Sequence, residues 1–193
     1  MAEIFEPGYF YHIFNRGNNK EKIFFEEKNY QYFMDLVGKY LLPVADIYCY
    51  CLIPNHFHIL LRIKDLDNLE QSDKLYQPFS NFLNAYTKAI NKSINRYGSL
   101  FQKNLHKIRI REMKYLQNLI AYIHLNPVKH EITEHFHNYP YSSYRSLISE
   151  KPTKLQRNEV IRMFDDQQNF IYWHNVKKYL MDEMIKEIEK IDW

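Results

Sequence analysis

Two runs of β-forming residues, Val44 to Ile53 and His56 to Ile63, stand back to back with only Pro54-Asn55 between them. Proline presets the φ of a turn and asparagine tolerates the tight conformation that follows, so the pair predicts a β-hairpin. Alternation in the second run is regular. Phe57, Ile59, Leu61 and Ile63 fall on one face, His56, His58, Leu60 and Arg62 on the other. A sheet with one apolar face must be covered, and the rest of the chain has to supply the cover.

The flanking signals supply it in a definite order. Tyr9 to Asn15 crowds β-formers between Pro7-Gly8 and Gly17-Asn18-Asn19 and predicts a first strand. Tyr30, Phe33, Val37, Tyr40 and Leu41 recur at helical spacing, predicting a helix from Glu27 to Leu41 that Pro43 stops. Phe79, Phe82, Leu83, Tyr86, Ile90, Ile94 and Tyr97 trace a long second helix ending at Gly98, with Lys88, Lys92 and Arg96 along its outer side. Leu105 to Ile110 alternates as a strand that places Lys107, Arg109 and Arg111 on one face. Glu112 to Leu125 predicts a helix halted at Asn126-Pro127. The order is βαββαβα. It predicts an α+β sandwich whose mainly antiparallel sheet is covered by helices on one face and free on the other. Residues 64–77 are polar and acidic, a surface loop. Beyond Pro140, Tyr141-Ser142-Ser143-Tyr144 predicts a docking loop, Arg157 to Phe164 a short helix, and Val176 to Ile191 a charged helix. The expected division is a main domain over 1–144 and a C-terminal helical extension over 145–193.

Composition narrows the class. The chain has 193 residues, 46% hydrophobic and 25% charged, with 4 glycines and 7 prolines, proportions that exclude a collagen, a linker or a disordered tail. No run approaches the roughly 20 apolar residues of a membrane span, and acids occupy the start where a signal peptide carries a basic flank; the expectation is an intracellular protein, with no membrane partner. Cys49 and Cys51, two apart in an apolar run, are expected as reduced core residues. Charge is uneven. From Pro78 to Arg111 there are seven basic residues and no acidic one, against 19 basic and 23 acidic elsewhere. Such a zone, in a chain with 17 tyrosines and 13 phenylalanines, suggests a polyanion partner, with nucleic acid first.

Two imidazoles side by side on the free face of a strand can both ligate one metal ion. On the helix before Pro127, Leu116, Leu119, Ile120 and Ile123 make the core stripe, and Tyr115, Tyr122 and Asn126 cluster on one flank. Tyr122 and Asn126, one turn apart, can act on the same object. A phenol, with a reference pKa of about 10, is a poor nucleophile near neutrality and needs a cation that polarises its electrophile. An ion held by His56 and His58 on phosphate oxygens supplies that.

The block CLIPNHFHILLR, the later AYIHLNPVKH and the YPYSSYR after it resemble, in that order, the single-tyrosine HUH transposases, an IS200-like group, and within them the proteins associated with bacterial repetitive extragenic palindromes. The resemblance runs from about Tyr9 to Tyr144. It implies the ferredoxin-like βαββαβα fold of HUH endonucleases. It also implies a metal site of His56, His58 and Asn126 for Mg or Mn, and Tyr122 as nucleophile. Relatives from insertion sequences usually carry Gln where this chain has Asn126. Ser99 to Lys103, with Phe101, Gln102 and Lys103, stands where relatives have a WQRR-like stretch near DNA. With Lys88, Lys92, Arg96, Lys107, Arg109 and Arg111 these residues form the expected DNA surface. The implied activity is cleavage and transfer of single-stranded DNA near a hairpin or palindrome through a 5′-phosphotyrosine, in a bacterial cytoplasmic, nucleoid-associated enzyme, more readily a monomer than a dimer. The alternatives are a hairpin-binding regulator of the same fold that does not cleave, a replication initiator or relaxase, and a small metallohydrolase that uses the histidines without the tyrosine.

Overall fold

The computed structural model describes residues 4–65, 75–180 and Ile188. Most of the expected 64–77 loop, and residues 181–187 and 189–191 of the expected last helix, lie outside the described residues. The strands are β1 (Phe10–Arg16), β2 (Ala45–Ile53), β3 (His56–Ile63) and β4 (His106–Ile110). The helices are α1 (Glu27–Leu36), α2 (Tyr76–Ser93), α3 (Met113–Lys129), α4 (Tyr144–Ile148), α5 (Arg157–Arg162) and α6 (Gln167–Tyr179). All pairings are antiparallel in the order β2-β3-β1-β4, so the hairpin β2-β3 sits beside β1 with β4 beyond it. That is the expected α+β, ferredoxin-like arrangement.

The sheet is covered on both faces, which corrects the expectation of a free one. On the first face Tyr11, Ile13, Phe57, Ile59, Leu61 and Ile63 meet Phe33 of α1 and Phe79, Phe82 and Tyr86 of α2 in one core. On the second, Cys49, Cys51, Ile53, Leu60 and Ile110 meet α3, with Val160 of α5, Phe164 and Phe170 of α6 closing over it. Because it lies between the sheet and α6, α3 is buried nearly all round from Leu119 to Pro127. Both cysteines are buried and free, their thiols pushed up by burial. The segment 141–143 docks on the β2 edge as expected, with Leu52 N–H on Tyr141 C=O and Ser143 N–H on Tyr50 C=O, each 3.0 Å.

Two helix ends differ from expectation. α2 stops at Ser93 rather than near Gly98, because Asn95 adopts a left-handed backbone, φ 52°, and Arg96 N–H caps the carbonyl of Asn91 at 2.8 Å. Ile94 and Tyr97 are therefore exposed. α3 does not halt at Pro127. It runs to Lys129 with the proline inside, and Glu131 at φ 55° ends it, Ile132 N–H bonding Pro127 C=O at 2.9 Å and Glu131 N–H bonding Val128 C=O at 3.0 Å. The extra turn carries Asn126 and Lys129 toward the same end of the sheet as His56.

Candidate active site

Alternation and register assemble the site. Arg16 pairs with His56 and Phe14 with His58 across β1 and β3, so the even-numbered His12, Phe14 and Arg16 share the α3 face of the sheet with both histidines. α3 brings Tyr122 and Lys129 over them. Phe14, Asn15, Arg16, His56, His58, Tyr122, Lys129 and His130 line one cavity of about 150 Å³. The histidines are thus not on open surface, as expected from the strand alone, but buried, His58 to 3% exposure and Tyr122 to 2%. At the rim, Gly17 lets the chain leave β1. A Cβ there would stand 2.0 Å from the carbonyl oxygen of Glu21.

Each imidazole has one nitrogen engaged behind it. His58 Nδ1 lies 2.9 Å from His12 Nε2, leaving His58 Nε2 for the cavity. His56 Nδ1 donates to Asn55 Oδ1 at 2.8 Å. Burial first, then the neighbouring His130, Arg16 and Lys129, push the His56 pKa down to about 3; burial and the facing His12 push His58 well down too. Both rings are neutral near pH 7, as ligands must be. His56 Nε2 is then a lone pair, and 2.9 Å from it lies another, Asn126 Oδ1, while Asn126 Nδ2 is buried with no partner among the described residues. Turning the amide over would give a hydrogen bond. The pair can share a hydrogen bond or, with both atoms as acceptors, hold a cation between them. Among the described residues no three His, Cys, Asp or Glu side chains converge on one point; the donor set is two imidazoles and one amide, and it fits a divalent ion.

Tyr122 meets the His58 ring edge-on, centroids 5.6 Å apart. Its phenol oxygen accepts a hydrogen bond from Lys129 Nζ at 3.2 Å, and that ammonium lies 4.9 Å from the Tyr122 ring centre. His12, Arg16 and Lys129 were not among the expected site residues. A lone histidine in a strand and a lysine past a proline give no signal by themselves; the register of β1 against β3 and the continuation of α3 reveal them.

The expected DNA surface is redistributed. Lys88 and Lys92 are exposed on α2, across the sheet from the cavity. Arg96 lies past the helix end and is spent on Glu21, at 3.1 Å, and on the carbonyl of Ser99, at 2.9 Å. Phe101, expected at the DNA, is instead core: it is 5% exposed and packs edge-on against Phe57. Gln102 is half-buried, its N–H on Arg16 C=O, and Lys103 is exposed. Lys107 and Arg109 sit opposite Ile13 and Tyr11, on the α1/α2 side. There Arg109 pairs with Glu6 at 2.7 Å and stacks on Tyr9, and Lys107 lies over Phe5 and Tyr76, so the two side chains are engaged by the chain's own N-terminal segment and the first residue of α2. Arg111, just past β4, is exposed.

The comparisons agree with this geometry. No family model matches the chain. A protein of Haemophilus influenzae named as a REP-associated tyrosine transposase is 31% identical over 98 residues, 49% of this chain and 56% of that protein, so the match spans little more than half of the relative's length. A solved structure described as a REP-associated tyrosine transposase bound to a REP hairpin superposes with a TM-score of 0.65 at 17% identity, over 79% of this chain and 87% of that one. The fold is shared with that solved structure. In sequence the chain is similar to the Haemophilus influenzae protein over that stretch, and in fold to the hairpin-bound structure. Among the described residues no helix is long and apolar enough to cross a membrane.

Proposed function

We propose that this chain is a metal-dependent endonuclease and strand transferase for single-stranded DNA, cutting beside a hairpin and holding the cut strand as a 5′-phosphotyrosine on Tyr122. The observation that carries the proposal is the convergence on one cavity of a phenol and two neutral imidazoles, with the Asn126 amide oxygen 2.9 Å from the His56 Nε2. Bound to His56 Nε2, His58 Nε2 and Asn126 Oδ1, a divalent ion, Mg or Mn, would draw charge from the phosphate under attack.

The chain's own residues do the rest. His12 and Asn55 hold the ligand nitrogens toward the cavity. Tyr122 oxygen forms the bond to phosphorus and the bond to the 3′-oxygen breaks; the phenol proton leaves to water and the departing oxygen takes one up. A 3′-hydroxyl from another strand reverses the step, so transfer needs no nucleotide hydrolysis. To reach Tyr122 the strand must bend a phosphodiester into the cavity, which a paired duplex resists. The hairpin named with the structural neighbour supports a hairpin substrate here.

The test is incubation of the protein with end-labelled single strands carrying the hairpins that flank its own gene, with Mg or Mn and with EDTA, followed by a denaturing gel. An ion-dependent covalent adduct is expected. Tight hairpin binding with no adduct under any ion would replace this reading by that of a non-cleaving regulator.

A further inference from the structure

The proposed ion site holds no negative charge of its own. His56, His58 and Asn126 are neutral donors, and among the described residues lining the cavity there is no carboxylate. Two cations line it instead. Arg16 stands beside His56 across the β1–β3 pairing, its Nε buried with no hydrogen-bond partner, and it makes no ion pair among the described residues. Lys129 reaches in from the last turn of α3 to the Tyr122 oxygen. Adding a divalent ion to such a cavity concentrates positive charge in a buried space, where Coulomb interactions are several times stronger than in water. An anion relieves all of it at once. One phosphodiester suits the cavity of about 150 Å³ in size and charge, and it adds oxygen ligands to an ion that the chain grips with three donors.

We infer that Arg16 and Lys129 form an anion subsite for the phosphodiester to be cut, and that this subsite makes ion and DNA binding mutually dependent: the free protein holds the divalent ion weakly, and strand and ion each tighten the other. Linkage makes the two enhancements equal in factor. The inference rests on the proposed metal-dependent cleavage but concerns binding order, which that reading leaves open. Lys129 thereby touches both the phosphate and the Tyr122 oxygen and holds the two together before reaction.

The experiment measures Mn binding by electron paramagnetic resonance in the Tyr122→Phe protein, which cannot consume its substrate. It is run without DNA and with a hairpin oligonucleotide bearing single-stranded flanks, taken from beside the chain's own gene. The oligonucleotide is expected to tighten Mn binding by about tenfold or more, within the 5- to 150-fold range of ordinary coupling. Arg16→Gln and Lys129→Gln, each made in that same protein, should bind Mn more tightly than their parent when DNA is absent and should lose most of the tenfold gain when it is present. Lys129→Arg, which keeps the charge, should restore it. Equal Mn affinity with and without DNA, or an unchanged gain in both Gln variants, overturns the inference. If the wild type nonetheless forms the ion-dependent adduct, the functional reading survives that outcome. No Mn binding in either condition, with no adduct, removes both.

Discussion

The two faces of this sheet are buried to a similar depth and for opposite purposes. Against α1 and α2 the contacts are aromatic and aliphatic: Phe33 touches Phe24, Phe57, Phe82 and Tyr86 edge-on or tilted, at 4.8–5.2 Å between ring centres. Against α3 the interior holds His12, His56, His58, Asn118, His124, Asn126, Ser143 and His174, all under 9% exposed. Burying a polar group costs free energy unless it is hydrogen-bonded, so such a face persists only where each group is given a partner or a ligand. His174 Nδ1 donates to Phe170 C=O at 2.7 Å and its Nε2 meets His124 Nδ1 at 2.8 Å; His124 Nε2 in turn meets Ser143 Oγ at 2.8 Å. That chain is closed. The set around His56 is not, since Asn126 Nδ2 is left over. One face is packed dry, and the other keeps polar groups buried at a cost.

The contrast can be broken most severely on the α3 side. Tyr122→Phe removes one oxygen and almost no packing, so adduct formation should fall by roughly a thousandfold or more while hairpin affinity stays within about twofold; a residual adduct on the denaturing gel would mean that another tyrosine reacts. His56→Ala with His58→Ala should abolish ion-dependent cleavage at a stability cost of about 1–2 kcal/mol by urea unfolding, because two costly buried imidazoles leave with their contacts. Phe33→Ala, on the packing face, should cost more, about 3–5 kcal/mol, since it empties a dry cavity among four rings. If the histidine pair proves the more destabilising change, the division of labour between the faces is wrong.

Acid should sharpen the difference. Burial holds the His174 pKa at about 4 in the folded protein, against about 6.5 when unfolded. Above pH 6.5 neither state is protonated there. As pH falls from 6.5 toward 4, the unfolded chain takes up a proton that the folded chain refuses, and stability falls by about 2 kcal/mol by pH 5 from this one site. His124, which burial and then His174 push down as well, acts in the same direction. Urea midpoints at pH 7.5 and 5.0 should show the loss, and His174→Asn should reduce it. The smallest effect belongs to the far side of the molecule. Lys88→Gln with Lys92→Gln should lower the salt slope of hairpin binding by no more than about 0.7 per residue and leave the cleavage position where it was. A shifted cut would show that the strand wraps from the cavity around to α2.

The hairpin, the order of elements and the shared face of the two histidines were legible because period-2 alternation and punctuation are local signals, and β2 ends and β3 begins within a residue of where Pro54-Asn55 divides them. The second covered face was not recognised, although Ala121, Tyr122 and Leu125 surround the core stripe of α3 with further apolar side chains, the mark of a helix buried all round. Pro127 misled because its missing N–H usually ends a helix; here the left-handed Glu131, which no composition rule announces, sets the end. Phe101 carried an aromatic's ambiguity between stacking on a base and filling a core, and only its placement beneath α2 decides between them. The cations of the α2–β4 zone were visible as a run, but which of them face the chemistry is a property of the fold.

Tyr122, Asn126 and Lys129 occupy a single unbroken helix, four and three residues apart. Their separations are therefore set by a rise of about 1.5 Å per residue and not by any loop, and inserting or deleting one residue between them would swing one group about 100° away from the others. The neighbouring loops can lengthen and shorten, but this seven-residue interval cannot change length. Diversification of such a protein has to proceed by substitution along that stretch and by insertion everywhere else.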